Sequence, residues 1–130
     1  MGQQQILLIV VGVIIVGIAI SVGFTMYRDS MKINNHDAVI KDVHYLAWTA
    51  MQFYLRTGHL NGWDGEYPAD VDILDLAPGW PGGQNDNGVY AVIWQSVDII
   101  VITGSSTHFD DINKQVTMNR TMIGQIIDQP

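Results

Sequence analysis

The first 24 residues of this 130-residue chain carry no charged side chain, and this run constrains the fold more than any other feature. From Ile6 to Phe24 the side chains are almost all Ile, Val, Leu, Gly and Ala, with Ser21 the one polar exception. As an α-helix this segment spans about 28 Å, close to the thickness of a bilayer's hydrocarbon core. It is apolar on every face, which indicates lipid or other helices around it.

The same run is open to three interpretations, namely a signal peptide, a membrane anchor, or a segment that packs against copies of itself. It is longer than a signal-peptide apolar region, and no basic residue precedes it. Arg28 and Lys32 follow it. Because basic residues usually lie on the cytoplasmic side of a membrane span, this order taken literally places the rest of the chain in the cytoplasm. The alternative is an exported protein whose basic leader, once ahead of Met1, has been removed.

An amphipathic pattern continues beyond the apolar run. Apolar residues recur at steps of three and four, at Val39, Val43, Leu46, Ala47, Ala50, Met51 and Tyr54. No proline occurs before Pro68, so the pattern predicts one helix from near the N-terminus to about Leu55, roughly 80 Å long. We therefore divide the chain into an apolar helix at 1–24, its amphipathic continuation at 25–55, and a small globular region at 56–130.

Turn-forming residues dominate the start of the globular region. Residues 56–88 predict a loop, with one short helical turn at "DVDILDL". Val89–Trp94 and Val97–Thr103 are rich in β-branched and aromatic residues, which predicts a hairpin with the two residues between them as its turn. Residues 107–127 fit either a helix or a third strand followed by a tail. A long helix combined with a small antiparallel sheet at 89–130 gives an α+β fold.

Charge and composition exclude several classes of function. The net charge is −7, and the excess lies in residues 56–130, so binding to nucleic acid is not expected. No cysteine is present, and no metalloprotease, hydrolase or nucleotide-binding motif occurs. His36 and His44 are too far apart on one helix to share a metal. We predict no enzyme activity, no catalytic residue, no metal and no cofactor. The "NDNG" stretch predicts a solvated acidic loop or a tight turn rather than a calcium loop.

A few side chains are candidates for modification. Asn119 begins an Asn-X-Thr triplet, the acceptor for N-linked sugar. Ser105, Ser106 and Thr107 are candidates for O-linked sugar. The twelve aromatic residues, four tryptophans among them, are interpreted as core packing rather than as a conducting path.

Two stretches resemble the type IV pilins and the pseudopilins of type II secretion systems. "ILLIVVGVIIVG" resembles the N-terminal apolar run of that family, and "AMQFYLRTGHLNGWDGEYP" resembles its helix end, with Tyr54, Gly58, Tyr67 and Pro68 at the matching places. "GVYAVIWQ" and "VDIIVITG" are similar to strands of the antiparallel sheet. The resemblance implies a third strand near 113–119. It also implies export, removal of a leader by a prepilin peptidase, methylation of the new N-terminus at Met1, and assembly into a helical homopolymer.

The chain departs from the pattern of that family near its N-terminus. Met1 and Gln5 stand where the family has phenylalanine and glutamate, so position 5 brings no charge to a neighbour's terminal amine. Gly2 as the cleavage mark would put Leu7 at the fifth place, a poorer match, so Met1 is taken as the first mature residue. The proline near position 22 and the C-terminal cysteine pair are also absent. Glycine stands close to that proline's place, and the glycines of the run are candidate points of helix unwinding, at Gly12, Gly17 and Gly23.

We therefore expect a structural subunit of an extracellular pilus-like filament, held in the inner membrane as a single-span precursor before the pilus assembly machinery takes it up. The alternatives are a pseudopilin or minor subunit of a secretion or uptake machine, and a single-span membrane protein with a sensor or binding domain. Glutamines at 3, 4 and 5 are expected to accommodate the polar terminus. The predicted subunit interface and filament core comprise Met1, Gln3, Gln4, Gln5, Ile6, Leu7, Leu8, Ile9, Val10, Val11, Val13, Ile14, Ile15, Val16, Ile18, Ile20, Val22 and Phe24.

Overall fold

A computed structural model describes residues 2–119, 122–124 and 127–128. One helix, α1, runs unbroken over Gly2–Leu55, as the periodicity predicts. It ends where Thr57 adopts an extended backbone ahead of a 3₁₀ turn at Gly58–Leu60. The chain divides after Asn34 into two structural units. The second, residues 35–130, is called the globular unit below, and it holds the second half of α1 together with all the strands.

The predicted loop at 56–88 contains short helical turns, one of which is capped by side chains. A single helical turn, α2, spans Ile73–Leu76 inside the "DVDILDL" stretch. The Asp72 carboxylate accepts a hydrogen bond from the Ile73 amide at 2.6 Å, and that of Asp75 accepts one from the Asp72 amide at 2.9 Å. The Asp72 carboxylate also accepts from the backbone amide of Asp75, so Asp72 and Asp75 form a reciprocal capping box, which fixes where α2 begins. A second 3₁₀ turn follows at Pro81–Gly83.

The sheet is antiparallel and follows chain order. Its three main strands are β1 (Gly88–Ser96), β2 (Ile99–Ser106) and β3 (Asn113–Asn119), so the predicted third strand is confirmed. Two short strands, β4 (Met122–Ile123) and β5 (Ile127–Asp128), both pair with β3. The α+β fold class is confirmed, with the helix packed on an antiparallel sheet.

The hairpin turn lies two residues later than predicted. Ser96 pairs with Ile99, and the register of the β1–β2 pairing shifts between Trp94 and Ser96. β1 therefore contains a bulge or similar irregularity at this point and continues to Ser96. The turn residues are therefore Val97 and Asp98, and the Asp98 amide donates to the Ser96 hydroxyl at 3.3 Å. Gln95-Ser96 was the wrong choice because this bulge cannot be read from the alternation of side chains.

The core lies between the second half of α1 and one face of the sheet. Six buried residues of α1 follow helical spacing, at Val39, Val43, Leu46, Ala47, Ala50 and Tyr54. They cluster with apolar residues of the strands, namely Tyr90, Ile100, Ile102, Val116 and Met118, and with loop residues such as Tyr67 and Leu76. Gly104 permits the close approach, since a Cβ there would lie 2.8 Å from both the Tyr90 ring and a methyl of Val43.

Candidate functional site

The apolar run forms a helix that buries none of its large side chains in the described part of the chain. The fourteen large apolar residues between Ile6 and Phe24 have exposed fractions from 43% at Val11 to 72% at Leu8. The first buried residue of α1 is Val39. All faces of this segment are therefore equally available to an outside partner.

Such a surface is not stable in water. Fully burying a large apolar side chain contributes about 1.5–3 kcal/mol, so leaving fourteen of them about 60% exposed to water costs on the order of 13–25 kcal/mol. The segment is long and apolar enough to cross a bilayer. A single-span membrane protein is compatible with this helix, and lipid would cover every face of it.

The hydroxyl groups of Ser21 and Thr25 are satisfied within the helix. The Ser21 hydroxyl donates to the carbonyl oxygen of Gly17 at 3.0 Å, and the Thr25 hydroxyl donates to that of Ser21 at 3.0 Å. Neither hydroxyl needs water or another chain as a partner. The helix can consequently enter an apolar environment without leaving these donors unpaired.

The three glycines of the apolar run keep helical geometry. α1 is continuous through Gly12, Gly17 and Gly23 in the single chain, and their unwinding in an assembly stays a prediction. A continuous helix keeps its backbone hydrogen bonds, and nothing in the chain itself pulls these positions out of it. A Cβ placed at any of the three would meet no atom within 4 Å. The chain alone therefore gives no steric reason for glycine there, although each costs roughly 1 kcal/mol relative to alanine.

The three glutamines predicted to accommodate the terminus lie in the first turns of α1. Gln3, Gln4 and Gln5 are all exposed. Met1, the predicted site of methylation, lies outside the described residues. That the three glutamines accommodate its amine stays a prediction.

In the globular unit, one carboxylate joins α1 to the segment that leads into β1. Oδ2 of Asp42 accepts three hydrogen bonds, from the Tyr90 hydroxyl at 2.6 Å, Asn85 Nδ2 at 2.8 Å and Asn87 Nδ2 at 2.9 Å. We call these four residues the Asp42 junction. Asn85 Oδ1 also accepts from the amides of Asn87 and Gly88, which confirms the tight turn predicted at "NDNG". Because the donors lie within six residues of one another, one carboxylate fixes that whole segment on the helix.

A second set of contacts extends from the same side of α1. Asn35 Nδ2 donates to the carbonyl oxygen of Asn87 at 3.1 Å, and the Ser106 hydroxyl donates to Oδ1 of Asn35. The same hydroxyl oxygen accepts from the amides of His108 and Phe109 at 3.0 and 3.1 Å. These bonds tie the turn after β2 to the helix.

The electrostatics of the Asp42 junction suit a structural role. Burial raises the pKa of the Tyr90 hydroxyl above its usual range, and its hydrogen bond to Asp42 and the charge of that carboxylate raise the pKa further. The hydroxyl therefore stays protonated as a donor. Oδ2 of Asp42 is occupied by three donors, so this oxygen is held in place rather than free to take a substrate proton.

The candidate modification sites differ in their surroundings. Thr107 is exposed in the turn after β2, whereas Ser105 is half-buried in β2. The Ser106 hydroxyl is engaged with Asn35, which disfavours a sugar at that position. Asn119 is the last residue of β3, where its backbone pairs with Met122. Within the described ranges, no three His, Asp or Glu residues are placed to hold a metal ion.

Sequence reasoning found the apolar helix but missed the Asp42 junction. Asp42 lies 43–48 residues from its three partners along the chain, so no local spacing reveals the contact. Its position just off the apolar face of an amphipathic helix is the one signal that could have suggested a partner.

Comparison with known proteins gives no assignment. No protein-family profile, no curated protein and no solved structure matches the chain.

Proposed function

We propose that the chain is a structural subunit of an extracellular, type IV pilus-like filament built from many copies of itself. One observation carries the proposal: a long apolar helix is exposed on every face, while the core that the described residues form consists of residues from Val39 onward. The resemblance of "ILLIVVGVIIVG" to the pilin N-terminus supports it. In this proposal the helix lies first in the inner membrane and then among identical helices in the filament core.

The small residues of the apolar run favour a neighbouring helix as partner. At 100° per residue, Gly12, Ala19 and Gly23 fall within about 40° of one another on the helix surface. Small residues on one face let two helix backbones approach closely. Since the chain itself provides no contact at Gly12 or Gly23, a second helix explains why they are glycine.

Assembly would not rely on the hydrophobic effect alone. Lipid tails are as apolar as the side chains of a helix bundle, so transfer from membrane to filament is close to neutral in hydrophobic terms. Packing between helices and contacts between globular units must favour the filament. A prepilin peptidase and pilus assembly machinery are the partners this route requires.

The decisive test is whether the protein forms filaments outside the cell. Cells are sheared, the high-molecular-weight fraction is pelleted, and the pellet is studied by cryo-electron microscopy and intact-mass analysis. We expect thin helical filaments whose main subunit begins at Met1 with a methyl group, about 14 Da, on its amine. Recovery of unassembled protein only from detergent-extracted membranes would overturn the proposal in favour of the sensor alternative. A trace amount in filaments of another subunit would indicate a minor pilin or pseudopilin.

Substitutions in the helix separate assembly from membrane insertion. Val11→Asp or Ile15→Asp places a charge in the apolar run and should abolish filaments, whereas Gln52→Asp, at an exposed position outside the run, should not. A charge also impairs insertion, so Gly23→Leu is the sharper variant. Leucine is more apolar than glycine and leaves insertion intact, but it should prevent close helix packing and reduce filament yield. Normal filaments from Val11→Asp would refute a buried role for the segment.

A further inference from the structure

A shallow aromatic hollow lies on the surface of the globular unit, separate from the apolar helix and the Asp42 junction. Its lining includes Trp63, Glu66, Pro68, Trp94 and Val97. Its volume is about 320 Å³, at the lower end of the range for ligand sites in proteins. The hollow has the size for a small organic molecule.

The aromatic walls of the hollow are held in place by contacts behind them. The Trp63 amide donates to the carbonyl oxygen of Phe53 at 2.8 Å, and the two rings stack with centroids 5.3 Å apart. Trp94 Nε1 donates to the carbonyl oxygen of Tyr67 at 3.0 Å, and the Tyr67 amide donates to that of Val97 at 2.7 Å. A ligand would therefore find a largely preformed site and would lose little free energy in ordering it.

The charge around the hollow favours a cation. The seven residues of its lining include one carboxylate and no Lys or Arg, and the Arg56 guanidinium, 5.4 Å from the centre of the Phe53 ring, is outside the lining. Glu66 is the charged member of the lining, and its side chain is exposed. An anionic ligand would meet repulsion here, whereas a cation would be attracted.

The chemistry of the lining selects an organic cation without hydrogen-bond donors. Indole faces attract cations, tryptophan more strongly than other aromatic residues. The N–H of Trp94 is already committed to a backbone carbonyl, so it is not free to bond a sugar hydroxyl. A strongly hydrated inorganic ion would have to give up hydration water, and the apolar walls offer no polar contacts in exchange. A quaternary ammonium group carries a positive charge, presents methyl groups to the rings, and has no N–H that needs a hydrogen-bond acceptor.

We propose that this hollow binds a small quaternary ammonium compound, whose methyl groups lie against the indoles of Trp63 and Trp94 and whose charge is balanced by Glu66. The inference does not depend on filament assembly, because every residue that carries it belongs to the globular unit. Choline is the simplest probe of this class.

The test is an NMR titration of the full chain in a polyoxyethylene ether detergent, which contains neither sugar nor choline. The four indole N–H signals are followed as choline is added at constant ionic strength, beside its uncharged isostere 3,3-dimethyl-1-butanol. We expect saturable shifts of the Trp63 and Trp94 signals, and choline should bind about 5- to 30-fold more tightly than the isostere. Methyl glucoside is titrated in the same way as a sugar probe. Equal affinity for choline and its isostere, tighter binding of methyl glucoside than of choline, or no shift at Trp63 and Trp94 would each overturn the proposal.

Variants check which groups carry the binding. Trp94→Leu keeps an apolar wall but removes a π face, and Glu66→Gln removes the charge at nearly constant shape. Each should weaken choline binding about 3- to 10-fold, and Glu66→Gln should also reduce its salt dependence. Trp48→Leu is the matched control, because Trp48 is an exposed indole on α1 outside the lining. Wild-type affinity in both lining variants would overturn the assignment of these residues.

A last comparison identifies the source of the ammonium group. Glycerophosphocholine carries the same group joined to a phosphate, as lipid headgroups do. Tighter binding of choline than of glycerophosphocholine supports a free cation as ligand, which the acidic surroundings favour. Tighter binding of glycerophosphocholine than of choline supports a lipid headgroup as the ligand. In that case too, the hollow binds a quaternary ammonium group.

Discussion

Replacing Tyr90 by phenylalanine removes one hydroxyl group from the Asp42 junction. That hydroxyl donates to Asp42 at 2.6 Å, a short bond to a charged acceptor in a partly buried setting. Hydrogen bonds to charged groups contribute about 1.5–3 kcal/mol, so Tyr90→Phe should lower the free energy of unfolding by about that amount. Asn85 and Asn87 would remain on the carboxylate, which limits the loss.

The same substitution at Tyr67 should have the opposite sign. Tyr67 is 1% exposed, and within the described residues its hydroxyl has no hydrogen-bond partner. A buried unpaired polar group costs about 1–3 kcal/mol, so Tyr67→Phe should leave stability unchanged or raise it by about 1 kcal/mol. The ring contacts are kept, with the Tyr54 ring at 4.6 Å and the Trp63 ring at 6.0 Å.

Urea denaturation of the full chain in nonionic micelles measures both effects. All four tryptophans lie between positions 48 and 94, so their fluorescence reports unfolding of the globular unit alone. The two variants should differ by about 1.5–4 kcal/mol at neutral pH, with Tyr90→Phe the less stable. Equal effects from the two substitutions, or a loss of more than about 1 kcal/mol from Tyr67→Phe, would refute this account of the two hydroxyls.

Alkaline pH provides an independent check on Tyr67. Burial raises the pKa of its hydroxyl from 10.0 to about 12. A raised pKa in the folded state means that the stabilisation is complete below about pH 10 and is lost as the pH rises towards 12. At about 1.4 kcal/mol per pKa unit, the loss approaches 3 kcal/mol. Tyr67→Phe should therefore show a shallower decline in stability over this window than the wild type, and an identical decline would contradict the pKa.

Three further perturbations test the packing of the globular unit by the same denaturation assay. Gly104→Val should cost about 1–3 kcal/mol or more because its Cβ would lie 2.8 Å from the Tyr90 ring, whereas Gly79→Val, with no atom within 4 Å, should cost little. Leu46→Ala should cost about 2–5 kcal/mol because Leu46 is fully buried; a loss below 1 kcal/mol would contradict its place in the core. A fragment of residues 35–130 should unfold within about 0.5 kcal/mol of the full chain, since it holds the entire core; an unfolded fragment would show that the apolar half of α1 is needed.

Much of the fold could be predicted from the sequence because its signals are local. The recurrence of apolar residues from Val39 to Tyr54 marks both the length of α1 and the face that it buries. The strands of the β1–β2 hairpin are rich in β-branched residues, and their existence was predicted correctly. The position of their turn was not, because the irregularity between Trp94 and Ser96 is set by strand pairing rather than by local composition.

The contacts that organise the surface could not be predicted, because they join distant parts of the chain. Asp42 meets its partners only once α1 has docked on the sheet. The walls of the hollow, Trp63 and Trp94, lie 31 positions apart, one in a loop and one on β1. Aromatic content alone suggested core packing, which holds for residues such as Tyr90 but leaves Trp94 40% exposed. Burial of a particular ring depends on the register of its strand, which composition does not specify.

The two halves of α1 differ in what they contact, and this difference bears on how one chain could pass from a membrane to a filament. Every buried residue of this helix lies at or beyond Val39, and its hydrogen bonds to the strands and loops come from the Asn35 and Asp42 side chains and from the Phe53 and Tyr54 carbonyls. The apolar segment adds nothing to the core of the globular unit, so that unit does not depend on what surrounds the segment. Under the proposed function, lipid would then be exchanged for neighbouring helices without refolding the globular unit. Under the proposed function, the surroundings outside the chain would account for both the uniform apolarity of residues Ile6 to Phe24 and the glycines that the single chain does not need.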